Sequence, residues 1–266
     1  MDLNLSGKTA LITGASMGIG EHLAETFAAE GVHLHLTARS IDRLEALKDR
    51  LAKIRDVSVT LHPLDLTADG AVEQLSATIK HIDILVNNAG AIPSGDLWDV
   101  DQKNWRNGWD LKVYGYIDMC REFYTKMKNA GGGVIINNIG NGGEVLDPKY
   151  IAGASGNASL MGFTRALGAF SLDDNIRVIG VNPGPVDTDR IYNMLKKRAI
   201  KDLGDESRAE DLQKGYPLGR PAHKQEVSDI IVFLASHRAA YVTGTIVTVD
   251  GGIASRRSIT VSYTLL

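Results

Sequence analysis

The chain has 266 residues, with 44% apolar and 23% charged side chains, a formal net charge of −3, and 28 glycines, a larger share than globular proteins usually carry. That length supports a substantial core. The balanced charge leaves no footprint for nucleic acid, and a single cysteine, Cys120, excludes an intrachain disulfide and fits a reducing compartment. No apolar run approaches the roughly 18–20 residues of a membrane span. The opening MDLNLSGKTALITG lacks the basic-then-apolar pattern of a secretory leader, so a cytoplasmic location without a membrane partner is expected.

In chain order, short β-branched apolar runs predict strands at 8–13, 32–37, 57–62, 82–86, 133–137, 176–181 and 245–249. Between them, helical periodicity predicts helices at 18–29, 42–53, 68–80, 101–128, 151–170 and 225–235. This alternation predicts a parallel sheet with helices on both faces. With no linker-like boundary, 1–266 reads as one domain. Segment 187–215 is charged and strandless, and it follows a strand near the carboxyl edge of the sheet, where such folds bind ligands. It reads as a substrate lid, or as a solvated helical excursion.

After the first strand the chain runs Thr13-Gly14-Ala15-Ser16-Met17-Gly18-Ile19-Gly20 directly into a helix. Glycines there permit a tight turn and close backbone approach to a pyrophosphate, which the N–H groups and dipole of the helix N-terminus then hold. At the end of the second strand, where an acid usually holds the ribose 2′-OH of NAD, stand Arg39 and Ser40. A guanidinium suits a 2′-phosphate, so NADP(H) is the expected cofactor, with NAD(H) possible; the alternative is a surface arginine at the next helix.

These features, with Asp65-Leu66, NNAG at 87–90, NPGPVDT at 182–188 and YVTGTIVTVDGG at 241–252, resemble the short-chain dehydrogenase/reductase family over nearly the whole chain. The resemblance implies an α/β, single-domain doubly wound Rossmann fold with a seven-stranded parallel sheet. It implies that Asp65 and Leu66 contact the adenine, that Asn88, Ala89 and Gly90 line the ribose side, and that Pro183, Gly184, Val186 and Thr188 hold the nicotinamide end. Part of NNAG alternatively braces the sheet. The resemblance also implies a carbonyl or alcohol substrate, and a subunit interface on the long helix, hence a homodimer or homotetramer.

The family's chemistry uses a tyrosine, a lysine four residues on, a serine about 13 residues before the tyrosine, and an asparagine on the preceding long helix. In the register set by Gly162-Phe163-Thr164-Arg165, the tyrosine position is Gly153, the lysine position Asn157 and the serine position Gly140. The asparagine position is Lys112. Lysine and asparagine are exchanged between the two helices, so with Asn157 at the lysine position the Lys112 cation is expected to sit near the nicotinamide ribose, lowering a phenol pKa or stabilising an oxyanion; the alternative for Lys112 is a side chain snorkelling to solvent. Tyr150 is the expected proton donor, reaching the Gly153 space from one turn earlier if the helix starts near Pro148; packing at the sheet edge is its alternative. Asn138, Asn141 and Glu144 are weaker candidates. The pairs Tyr124/Lys128 and Tyr192/Lys196 read as helix faces, Trp105/Trp109 as a packing stripe, and the histidines have no metal-ligand spacing. The expected function is NADP(H)-dependent oxidoreduction at an altered site; the alternative is a catalytically inactive NADP(H)-binding sensor or assembly subunit.

Overall fold

A computed structural model describes residues 1–256; residues 257–266 of the 1–266 unit lie outside the described residues. Seven strands form one parallel sheet: β1 (Thr9–Thr13), β2 (His33–Ala38), β3 (Val59–Pro63), β4 (Ile84–Asn87), β5 (Gly133–Asn138), β6 (Ile176–Pro183) and β7 (Thr245–Val249). Their order is β3-β2-β1-β4-β5-β6-β7. This is the expected doubly wound sheet, with the order reversing between β1 and β4, the place where such sheets bind ligands.

The helices are α1 (Gly18–Ala29), α2 (Ile41–Leu51), α3 (Ala71–Thr78), α4 (Gln102–Trp109), α5 (Gly115–Asn129), α6 (Ile151–Gly168), α7 (Asp189–Leu203) and α8 (Lys224–Ala235). One face of the sheet is covered by α1, α2 and α8 through Leu23, Phe27, Leu44, Leu47, Val227 and Ile231. The other is covered by α3, α5 and α6 through Leu75, Met119, Phe123, Met127, Leu160 and Met161. Strand β6 is buried along its whole length, as a strand covered on both faces must be. Its one charge, Arg177, is satisfied by the last carbonyls of α8: Leu234, Ala235 and Ser236.

Two expectations change. The helix at 101–128 is α4 and α5 joined through a π turn at Asp110–Tyr114, and this turn carries Lys112. And α6 starts at Ile151 as predicted, without the earlier start near Pro148 on which the reach of Tyr150 depended: Tyr150 is its N-cap residue, with φ −136° and ψ 37°. Segment 187–215 comprises α7 and a 3₁₀ stretch at Glu206–Gly215.

Candidate active site

The loops after β1 and β4 meet at the point where the strand order reverses. Gly14 and Gly18 have φ of +65° and +63°, which side-chain-bearing residues rarely adopt. Gly20 has no room for a side chain, because a Cβ there would stand 2.3 Å from the Gly14 carbonyl oxygen. Asn88 braces this loop: its amide donates to the carbonyls of Thr13 (3.0 Å) and Gly14 (3.2 Å), and its Oδ1 accepts from Asn138. The Asn88 side chain is thus engaged by protein, and Ala89 and Gly90 present the backbone at that edge. Ser16 and Ile19 are half-buried on the same turn. Gly20→Ala is expected to abolish tight nucleotide binding and to cost about 1–3 kcal/mol of stability by overpacking. Nucleotide titration and a thermal melt check this; unchanged affinity overturns it.

Around the loop, Arg39 is exposed at the end of β2, and Ser40 caps α2 by accepting from the Arg43 N–H. Asp65 accepts from the backbone N–H and the hydroxyl of Thr67, which, with Arg39 nearby, hold its carboxyl below the usual range. Leu66 packs against the α3–α5 core. Arg43 escaped the sequence reading; it leans on Met17 and lines a cavity of about 250 Å³ with Ser16, Gly18, Asp189 and Lys224. On the other side, Pro183 ends β6 and Gly184 packs on Asp250. Val186 is buried, and the Thr188 hydroxyl donates to its carbonyl at the start of α7.

The four positions aligned with the family's chemistry come together at the exit of β5. Consecutive carbonyls hold the exchanged pair: Lys112 Nζ donates to the oxygen of Ile139, and Asn157 Nδ2 donates to that of Gly140 at 3.3 Å. Gly90 leaves room for the lysine stem, since a Cβ there would lie 2.9 Å from Lys112 Cδ. Lys112 is buried and does not snorkel to solvent. Burial, with the like charge of Arg190, pulls its ammonium down to about 7. The Oδ1 atoms of Asn157 and Asn138 are buried acceptors without a donor.

Tyr150 fills the space left at Gly153. A Cβ on Gly153 would sit 1.9 Å from Tyr150 Cζ, so the ring rests on that glycine although its own residue precedes the helix. The backbone of Tyr150 bridges to Gly95, and its ring packs with Ile92, Val100, Ala152, Trp105 and Trp109. Arg190, absent from the sequence reading, donates from Nη2 to Tyr150 Oη (3.2 Å) and to the carbonyl of Ile92 (3.3 Å). A phenol oxygen that accepts this bond keeps its own proton to give to another oxygen.

The weaker candidates are engaged elsewhere. Asn141 donates to Asp250, and Glu144 accepts from Asn182 and Thr248. Tyr124 and Lys128 both bind Asp174, and Lys196 pairs with Glu206. Cys120 is buried, its thiol pushed up to about 12. Among the described residues no cluster of three His, Cys, Asp or Glu side chains can hold a metal, and no helix is long and apolar enough to cross a membrane.

Residues 14–254 match a short-chain dehydrogenase family model described as enoyl-(acyl carrier protein) reductase. The chain belongs to the short-chain dehydrogenase/reductase family. Among its relatives, oxidoreductase UcpA of Salmonella typhimurium is 34% identical, over 97% of this chain and 98% of that protein. The 3-oxoacyl-[acyl-carrier-protein] reductase FabG of Escherichia coli is 32% identical, over 94% and 99%. L-sorbose reductase from Gluconobacter frateurii, solved with NADPH and L-sorbose, superposes with a TM-score of 0.88 at 32% identity, covering 95% of this chain and 98% of the other.

Proposed function

We propose that this protein is an NADP(H)-dependent oxidoreductase that interconverts a carbonyl compound and an alcohol with a rearranged set of side chains. The observation that carries this reading is the Tyr150 ring resting on Gly153, beside Lys112 and Asn157 on adjacent carbonyls of the β5 exit. A proton donor, a buried cation and an amide remain at the site, each supplied from a different element.

The residues fit a nicotinamide dinucleotide. The crowded Gly14–Gly20 turn leaves backbone N–H groups for the pyrophosphate, Arg39 and Ser40 lie where a 2′-phosphate would sit, and Asp65 and Leu66 flank the adenine side. Ala89, Gly90, Pro183, Gly184, Val186 and Thr188 border the nicotinamide half, and the free Oδ1 of Asn157 suits a ribose hydroxyl. The L-sorbose reductase solved with NADPH and a neighbour described as an NADPH-dependent reductase support this assignment. When bound, the cofactor supplies or accepts the hydride. The protein's own part is to present the Tyr150 Oη proton to the substrate oxygen and to surround that oxygen with positive charge from Arg190 and Lys112. Residues 187–215 act as the lid, since α7 brings Arg190 over Tyr150.

Fluorescence titration with NADPH and NADH, then a screen of ketones and ketoses, L-sorbose included, tests the reading. Tight NADPH binding without turnover on any carbonyl would instead assign a binding protein without dehydrogenase activity. Arg39→Ala is expected to weaken NADPH on the order of tenfold and leave NADH within about twofold; equal losses for both would remove Arg39 as the 2′-phosphate residue. We also infer a homodimer or homotetramer. Exposed Phe170, Leu172 and Tyr241 support it, as the Ser171–Thr243 hydrogen bond brings their segments together. Light scattering at assay concentration decides this.

A further inference from the structure

We infer that Arg190 makes this a site for anionic carbonyl compounds: short 2-oxo or 3-oxo carboxylates and the corresponding hydroxy acids. The inference rests on the oxidoreductase reading above and adds a substrate class to it.

Arg190 stands in the first turn of α7 and is exposed. Its two hydrogen bonds, to Tyr150 Oη and to the Ile92 carbonyl, both leave from Nη2. A guanidinium has five N–H groups, so the Nε–H and the two N–H groups of Nη1 remain as three unused donors. Among the described residues these three donors meet no acceptor and no carboxylate. The acidic groups around the site are engaged elsewhere: Asp250 with Asn141 and the N–H groups of Gly252 to Ala254, Glu144 with Asn182 and Thr248, and Asp187 beside His223. Lys112, the other cation here, is buried and feels the like charge of Arg190. Two positive groups with no carboxylate in hydrogen-bond contact raise each other's cost, and an anion on the unused donors of Arg190 relieves it.

The spacing narrows the anion. Tyr150 Oη and Arg190 Nη2 are 3.2 Å apart. A substrate oxygen that accepts the tyrosine proton lies about 2.7 Å from Oη, and a carboxylate held by Nη1, the neighbour of Nη2 in the same guanidinium, lies about 2.8 Å from that nitrogen. The two groups are therefore neighbours on the substrate: a carboxylate bonded directly to the carbonyl carbon, or separated from it by one carbon.

A matched panel tests this: pyruvate, 2-oxobutyrate and acetoacetate against their methyl esters, with NADPH, on wild type, Arg190→Gln and Arg190→Lys. In wild type the acids should exceed the esters in kcat/KM on the order of a hundredfold, as expected for a charge-assisted contact. Arg190→Gln should collapse that acid-to-ester ratio to near one, mainly through KM, and Arg190→Lys should recover part of it. Esters used as well as acids by wild type, or a ratio unchanged by Arg190→Gln, would overturn the inference. An arginine that merely tethers the lid would lower both classes alike. Failure of the oxidoreductase reading looks different: no panel member oxidises NADPH. Calorimetric titration of the same acids into protein saturated with NADP+ then decides. Acids that bind wild type but not Arg190→Gln keep the anion site standing without turnover; acids that do not bind wild type reject it.

Discussion

Tyr150→Phe is expected to lower kcat for carbonyl reduction by about two to four powers of ten, with NADPH affinity nearly unchanged. The phenol oxygen accepts from Arg190 and has its proton left to give, and among the described residues no other tyrosine hydroxyl shares that position. Tyr116, a buried tyrosine, donates to the Asn138 carbonyl, and burial pushes its phenol far up. A second variant separates chemistry from packing. Gly153→Ala leaves every polar group in place, and at an ordinary helical position it would favour the helix by about 1 kcal/mol. Here the added methyl meets the Tyr150 ring at 1.9 Å and forces it away. Loss of kcat in both variants, with NADPH titrations intact, places the reacting proton on Tyr150. Full activity of Tyr150→Phe would remove it as the acid, whatever Gly153→Ala does.

The second large effect is on stability. Lys112→Met is expected to raise the melting temperature of the apo protein by roughly 5 °C at pH 6.5 while depressing turnover. The ammonium is held at about 7 against an ordinary 10.5, and burial is the main cause. That gap corresponds to about 5 kcal/mol of burial cost, set against about 1–3 kcal/mol for leaving the Ile139 carbonyl without its donor. Below pH 7 the lysine is charged in both folded and unfolded chains, and the whole cost is present. Between about 7 and 10.5 the unfolded chain holds a proton that the folded chain has released, so wild-type stability rises with pH. The advantage of methionine therefore shrinks across that window. Melts of the two proteins from pH 6 to 10 measure it; a constant difference would mean that Lys112 keeps its charge when folded.

Much of the fold was legible because the strands carry their own signal. Buried strands such as β1 and β6 read as continuous β-branched runs, and glycine-rich turns mark where they deliver the chain. The register argument that aligned Gly140, Asn157 and Lys112 names residues that do meet at one strand exit, because spacing along a helix translates directly into position. What escaped depends on tertiary context. The π turn leaves no mark in hydrophobic periodicity. The start of α6 falls at Ile151, where periodicity put it, but the earlier turn that Pro148 would permit does not form, and Tyr150 bridges to Gly95 instead. Arg190 was one charge among many in 187–215, and only the docking of α7 on the β4 loop sets it against a phenol.

The π turn at Asp110–Tyr114 makes the site sensitive to length as well as to composition. A π turn is an α-helix with one residue too many, so removing one residue from 110–114 would let the helix close into regular α geometry. Everything on one side of the cut would then rotate by about 100° against the other. Lys112 would leave the Ile139 carbonyl, while α4 and α5 would each stay intact. Which side chain meets the Ile139 carbonyl is in this sense set by the frame of one helix, and a single-codon deletion there probes what no substitution scan would sample.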